Sequence, residues 1–190
     1  MTATANDLIS VIRSGAVIVA GAGVSGKGAV KMLLDLGCPE IHLADDSAER
    51  GRNLADAHDV RWCTTEAAAG LLPDAAAVVT SPGWRPDTPL LVAAADAGVP
   101  VIGDVALAYA GDRAGAWGRP RTWLVVTGTN GKTTTTAMLA AMLGERGSAV
   151  GNIGGALNDA LTARPRVDVL AAGLSSFQLH WAPGLRPDSG

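Results

Sequence analysis

The densest chemistry in the chain lies at Thr127-Gly128-Thr129-Asn130-Gly131-Lys132-Thr133-Thr134. Two glycines with two residues between them let backbone N–H groups turn inward around an anion. The lysine that follows supplies positive charge for the β/γ end of a nucleotide phosphate, and the hydroxyl after it suits a divalent cation. Apolar Val125-Val126 leads into the loop and an Ala/Leu/Met-rich run leads out of it. That is a strand, a phosphate-cradling loop and a helix N-terminus, where the helix dipole favours negative charge. The spacing is shorter than that of the common G-x-x-x-x-G-K-[ST] loop.

A second glycine turn stands nearer the N-terminus. Gly21-Ala22-Gly23-Val24-Ser25-Gly26 fits G-x-G-x-x-G, follows an apolar run and opens a helical pattern. Asp45 comes 19 residues after Gly26, at the end of the next apolar run. This is the dinucleotide-binding context: a tight turn at Gly21, close backbone approach at Gly23, and helix–sheet packing at Gly26. Asp45 is placed to accept hydrogen bonds from a ribose or base. Ser81-Pro82-Gly83 ends another apolar run. Proline holds Ser81 extended, and Gly83 permits close approach of a ligand.

These turns need a scaffold, and the apolar pattern supplies one. Ala16–Ala20, Glu40–Ala44, Val60–Cys63, Ala75–Thr80 and Val99–Ile102 read as strands. Lys27–Leu36, Leu90–Ala97 and a run from Val105 read as helices between them. Alternation of this kind predicts a parallel sheet with helices on its faces. The pattern breaks at Gly111–Arg121, rich in Gly and Arg, then restarts with a strand at Thr122–Thr127, a helix at Thr133–Leu143 and a strand at Val167–Ala172. The expected organisation is a Rossmann-like parallel-sheet domain over 1–110, a linker over 111–121, and the start of a P-loop α/β ATPase domain over 122–190. The arginines of the linker are expected to form a solvated face.

Composition narrows the class. The chain has 190 residues, about 1.3 domains at roughly 150 residues each. It is 48% hydrophobic and 17% charged, with a net charge of −3, which argues for a buried core and against a nucleic-acid-binding surface. Two cysteines, Cys38 and Cys63, make neither a disulfide framework nor a metal set. No apolar run reaches the roughly 18 residues of a membrane span, and Met1–Ser14 lacks a signal-peptide pattern, so a cytoplasmic protein without membrane insertion is expected; a monomer is the expected state. His42, His58 and His180 are read as ordinary surface or core histidines.

Thr127–Thr134 resembles the ATP loop of the Mur ligase family and its folylpolyglutamate synthetase relatives. Gly151-Asn152-Ile153-Gly154 resembles the family segment that contacts the muramyl part of the substrate. Leu174-Ser175-Ser176-Phe177-Gln178-Leu179 resembles the segment of the D-glutamate-adding branch. The first domain of that branch is Rossmann-like and binds UDP rather than NAD. The resemblance implies ATP-dependent amide bond formation in peptidoglycan precursor synthesis. A carboxylate of UDP-N-acetylmuramoyl-L-alanine takes the γ-phosphoryl group as an acyl phosphate, and the amine of D-glutamate displaces phosphate. By position, Gly128, Thr129, Asn130, Gly131, Lys132, Thr133 and Thr134 would bind ATP, with Lys132 stabilising the migrating phosphoryl group and Thr133 holding Mg²⁺. Val24, Ser25, Asp45 and Gly83 would bind the UDP part, and Asn152 and Gln178 would reach the muramyl part.

Two departures from the family pattern matter. The family places a Mg²⁺-binding glutamate immediately before Leu-Ser-Ser-Phe-Gln, where this chain has Gly173. Glycine offers a hard cation no side-chain oxygen. Asp168 lies five residues upstream, roughly 16 Å along an extended strand, too far to substitute. The later histidine, the carbamylated lysine and the C-terminal domain of the family are also missing from these residues, so impaired turnover is expected. Two other readings stay open: a catalytically dead nucleotide-binding fragment, and an NAD(P)-binding oxidoreductase domain built on the first glycine turn.

Overall fold

The computed structural model describes residues 5–152 and 156–190. After helix α1 (Ala5–Ser14), five strands alternate with helices: β1 (Ala16–Ala20), α2 (Val24–Asp35), β2 (Glu40–Ala44), α3 (Ala48–His58), β3 (Arg61–Cys63), α4 (Thr65–Ala69), β4 (Ala75–Thr80), α5 (Pro89–Asp96) and β5 (Val101–Gly103). They form an all-parallel sheet in the order β3-β2-β1-β4-β5. The expected Rossmann-like α/β class holds. The strand order reverses beside β1, so the carboxyl ends of β1 and β4 diverge into a crevice where ligands of such sheets bind.

Strand alternation divides the core into two layers. Val17 and Val19 face α1, α2 and α6 (Asp104–Arg113). Ile18, Ala20 and Val78 face α4 and α5, meeting Leu90, Leu91 and Ala94. All these core residues are buried, and a strand buried on both faces reads as the unbroken apolar run found at Ala16–Ala20.

A second parallel sheet follows, with β6 (Thr122–Val126), α7 (Lys132–Leu143), β7 (Gly147–Gly151), α8 (Leu157–Thr162), β8 (Val169–Gly173) and α9 (Ser176–His180) in the strand order β6-β8-β7. Val126, Gly173 and Gly151 stand level across the three strands, so the segments after them leave one edge together. The outer side of β6 takes a parallel bridge from the tail, Leu124 to Ser189. The apolar layer on the α1/α2/α6 face continues without a break into Trp123, Val150, Leu161, Leu170 and Leu174 of the second half.

The segment expected to be a linker is buried at its two ends, at Gly111, Asp112 and Arg121, while 114–116 and 118–120 between them are exposed. Gly111–Arg113 form the last turn of α6. Arg121 is fully buried rather than solvated, and so is its partner Asp112. The Arg121 guanidinium donates to Asp112 Oδ1 at 2.8 Å and to the carbonyls of Leu161 and Val167. The Asp112 carboxylate also accepts from the Arg121 amide at 2.9 Å and from Trp123 Nε1 at 3.0 Å. An ion pair taken out of water needs further hydrogen bonds around it, and here each guanidinium nitrogen and each carboxylate oxygen has one. The sequence places these partners nine residues apart with nothing to mark them as a pair.

Candidate functional site

The carboxyl edges of the two sheets face each other across a cavity of about 320 Å³. The first sheet contributes Gly23, Val24 and Ser25 from the β1–α2 turn, Ser81-Pro82-Gly83 from the end of β4, and Asp104. The second contributes Gly151, Asn152 and Gln178, with Leu157 and Asn158 of α8. Five of the six residues expected to bind substrate therefore line one space: Val24, Ser25, Gly83, Asn152 and Gln178. Ile153 and Gly154 of the Gly151–Gly154 segment lie outside the described residues.

The β1–α2 turn is built by its glycines. Gly21 sits at φ +96°, a conformation L side chains rarely adopt. A Cβ at Gly26 would stand 1.8 Å from the Gly21 carbonyl oxygen, so the helix can start this close to the strand only with glycine there. Gly23 is the N-cap of α2 and makes no side-chain cap, which leaves the first N–H groups of the helix open toward the cavity.

Asp45, the sixth residue, does not line this cavity. Its carboxylate accepts from the Ala22 amide at 2.7 Å, the Ser47 amide at 2.9 Å and the Arg50 guanidinium at 2.9 Å. Burial pushes its pKa up, but the bonds from Arg50, Ala22 and Ser47 outweigh burial and hold the carboxyl below its ordinary range. It braces the glycine turn from behind. Its partners Ala22, Ser47 and Arg50 line a neighbouring groove with Lys27, Asn53 and His58. Burial, with Lys31 and Lys27 nearby, lowers the His58 pKa, and Lys27, Glu49 and Arg50 are the other charged side chains on that groove.

On the sheet edge that also carries Asn152, the 127–131 loop leaves β6 and caps α7. Gly128 at φ +144° and Gly131 at φ +77° both occupy conformations that favour glycine. Thr129, Asn130, Thr133 and Thr134 are exposed along it. The Lys132 ammonium folds back to donate to the Gly128 carbonyl, closing the loop on itself. An anion between the loop amides would take over that ammonium, so the loop fits a nucleotide phosphate. Gln178 is held by a capping box: Ser175 Oγ accepts from the Gln178 amide, and Gln178 Oε1 accepts from the Ser175 amide at 3.0 Å. Its amide nitrogen is left for the cavity.

Mg²⁺ fits this edge poorly. None of the segments that leave it, 127–135, 151–157 and 173–181, contains Asp or Glu. Among the described residues no group of three His, Cys, Asp or Glu could hold a metal. Thr133 offers one neutral oxygen, and Asp168, at the opposite end of β8, is paired with Arg166. ATP affinity is therefore expected to be nearly equal in excess Mg²⁺ and in chelator. Gly173→Glu should create a Mg²⁺ dependence of about tenfold, the scale of one charge-assisted contact. Titrating ATP into both proteins under both conditions checks it; a strong Mg²⁺ dependence in the unsubstituted chain would count against the assignment.

Among the cavity's polar side chains, Asp104 and Asn158 were not anticipated from sequence. Asp104 carried one usable signal, its place directly after a strand that ends in Gly103. Asn158 carried none; it reaches the cavity because α8 packs on α2 and α6.

Comparison with known proteins agrees with the geometry. The description "Mur ligase MurD-like, N-terminal domain" matches residues 15–103, and "Mur ligase middle domain" matches residues 126–172. Proteins named UDP-N-acetylmuramoylalanine--D-glutamate ligase are 57% identical in Corynebacterium efficiens, over 93% of this chain and 38% of that protein, and 53% identical in Corynebacterium diphtheriae, over the same shares. The one from Corynebacterium jeikeium is 51% identical over 97% of this chain and 39% of its own length. The chain thus spans about two fifths of the length of these relatives. Among its described residues no helix is long and apolar enough to cross a membrane.

Proposed function

From the premise that the chain belongs to the Mur ligase family, we propose that it carries the UDP-substrate and ATP sites of a cytoplasmic ligase adding D-glutamate to UDP-N-acetylmuramoyl-L-alanine. The observation that carries this is the single cavity between the two sheet edges. It joins a diphosphate-type glycine turn to the Asn152 and Gln178 side, and the ATP loop leaves the same edge as Asn152.

The roles follow from position. The open amides of α2, with Ser25 and Gly83, receive the diphosphate, and the groove beside Asp45 and Ser47 receives the uridine. Asn152 and Gln178 offer amide donors to the muramyl part. The loop 128–134 cradles the ATP phosphates, and Lys132 exchanges its Gly128 carbonyl for phosphate oxygens. The substrate carboxylate then attacks the γ-phosphorus, the β–γ bond breaks with ADP leaving, and the amine of D-glutamate displaces inorganic phosphate from the acyl phosphate to give the amide. No step is assigned to Mg²⁺, because the donor set does not fit it. A ligand-binding chain with little turnover of its own is the form of the function these residues favour. The oxidoreductase alternative has no support in the cleft, whose far wall is built from the second sheet.

Calorimetric titration tests the proposal. The chain should bind UDP-N-acetylmuramoyl-L-alanine and ATP, and NAD should give no heat. Lys132→Ala should weaken ATP by about 10- to 100-fold, the worth of a charge-assisted contact. The same variant should leave the UDP ligand within about twofold, because Lys132 does not line the cavity. NAD binding, or equal loss of both ligands, would sink the assignment.

A further inference from the structure

The cavity contains one ionisable side chain that the proposed function does not use. Asp104 opens α6 at the carboxyl end of β5 and is only 8% exposed. Its Oδ1 accepts from the Val105 amide at 2.9 Å, and the Ser25 side chain hydrogen-bonds with its carboxyl. No Lys, Arg or His is among the described residues lining the cavity. The charged groups on the packed elements are engaged elsewhere. Lys31 of α2 lies 3.8 Å from Asp159 of α8, and Lys27 lines the neighbouring groove. On α1, Arg13 donates to the Leu36 carbonyl, and Asp7 sits in the first turn. Asp112 and Arg113, at the far end of α6, pair with Arg121 and Asp188. His180 of α9 packs edge-on against Trp181. β4 and β5 carry no titratable residue.

A phosphate entering this space meets a carboxyl group with no cation to offset it. As a carboxylate, Asp104 would accept the Ser25 hydroxyl hydrogen bond and turn the Ser25 lone pairs onto the anion. As an acid, it donates to Ser25 Oγ, and the Ser25 hydroxyl is free to donate onward. Burial favours the acid and raises the carboxyl pKa, partly offset by the bonds from Ser25, Val105 and its own amide. A buried carboxylic acid kept neutral so that it can donate is an established device in enzyme sites.

We propose that Asp104 binds a proton when the cavity holds a phosphate-bearing ligand, and that this proton sets the Ser25 hydroxyl to donate to a phosphate oxygen. The inference rests on the diphosphate reading of the cavity. One proton is taken from solvent for each ligand bound, no covalent bond changes in the ligand, and Asp104 acts as a positioning residue through Ser25. Affinity is then full below the carboxyl's pKa in the free chain. It falls by up to about tenfold per pH unit as pH rises from that value toward the pKa in the complex.

The test is calorimetry of the 190-residue chain with UDP-N-acetylmuramoyl-L-alanine between about pH 6 and 8.5, a window in which the ligand's diphosphate and carboxylate do not titrate. Buffers of different ionisation enthalpy report the proton directly. Uptake approaching one proton, with affinity falling as pH rises, supports the proposal. Asp104→Asn should abolish both the uptake and the pH dependence. If that variant does not fold, Ser25→Ala, which removes the intermediary, should cut the uptake instead. Binding without proton uptake, or uptake that persists in Asp104→Asn, overturns the proposal and leaves the diphosphate reading standing. Absence of binding at every pH overturns that reading, and the proton with it.

Discussion

Asp112→Ala should lower the stability of the chain by about 3–5 kcal/mol, the cost of leaving one partner of a buried ion pair without the other. Domains of this size have about 5–15 kcal/mol to lose, so the variant should be close to unfolding at 37 °C. The size of the effect follows from the position of the pair. Arg121 and Asp112 are both fully buried. The guanidinium also donates to the carbonyls of Leu161 and Val167, at the end of α8 and the approach to β8. Alanine at 112 would strand a cation inside a core that bridges the first sheet and the second. Denaturant unfolding followed by Trp fluorescence measures it, since Trp123 donates to the same carboxylate. The double variant Asp112→Leu/Arg121→Met removes both charges and should recover most of the loss. A single-variant cost below about 1 kcal/mol would mean the pair is not holding the halves together.

Gly26→Ala should be the most damaging single methyl in the cleft. Its Cβ would sit 1.8 Å from the Gly21 carbonyl oxygen and 2.8 Å from the Gly21 carbonyl carbon, both backbone atoms of the same turn. Neither can rotate away as a side chain would. Either α2 retreats from β1 or the turn reopens, and both move Gly23, Val24 and Ser25 out of the cavity. The cost to stability should be about 3 kcal/mol, the upper end of overpacking. Binding of UDP-N-acetylmuramoyl-L-alanine should fall by more than about 100-fold, since the helix N-terminus no longer faces the anion. By contrast, Gly83→Ala meets nothing within 4 Å and should fold normally. Thermal unfolding and calorimetry on the two variants separate a steric requirement from a general intolerance of the loops.

The central strands could be read from sequence to the residue. β1, β2 and β4 occupy Ala16–Ala20, Glu40–Ala44 and Ala75–Thr80, as the apolar runs predicted. Such runs are legible because a central parallel strand has no solvent face to blur its ends. α3 was not anticipated, since only Gly51, Leu54 and Ala55 of Ala48–His58 are buried and the helix shows little apolar stripe. Its start was marked all the same, by Ser47 accepting from the Arg50 amide. β7 was hidden by its composition, Gly-Ser-Ala-Val-Gly, in which only Val150 is buried. In the site, glycines and hydroxyls at strand ends were legible because they answer to local backbone geometry. Arg121 was misjudged because its partners Asp112, Leu161 and Val167 are unmarked or distant in sequence. Spacing put Asp45 at a ligand, yet its lone pairs are used by Ala22, Ser47 and Arg50.

The strand order of the second sheet bears on the timing of synthesis. β8 lies between β6 and β7 but is the last of the three to be made. Until residue 173 emerges, β6 and β7 have no common partner, and α7 has no complete sheet to pack on. Even afterwards Met138 and Met142 on α7 remain exposed. From the end of β7 at Gly151 to the end of β8 at Gly173 is 22 residues, about 1–4 s of translation at ordinary rates. The first sheet avoids such an interval, because β1 pairs with β2, the next strand made. Its half can form on the nascent chain while the second half waits for its middle strand. Slowing translation between residues 151 and 173 should therefore lower the yield of soluble protein more than slowing it within the first sheet.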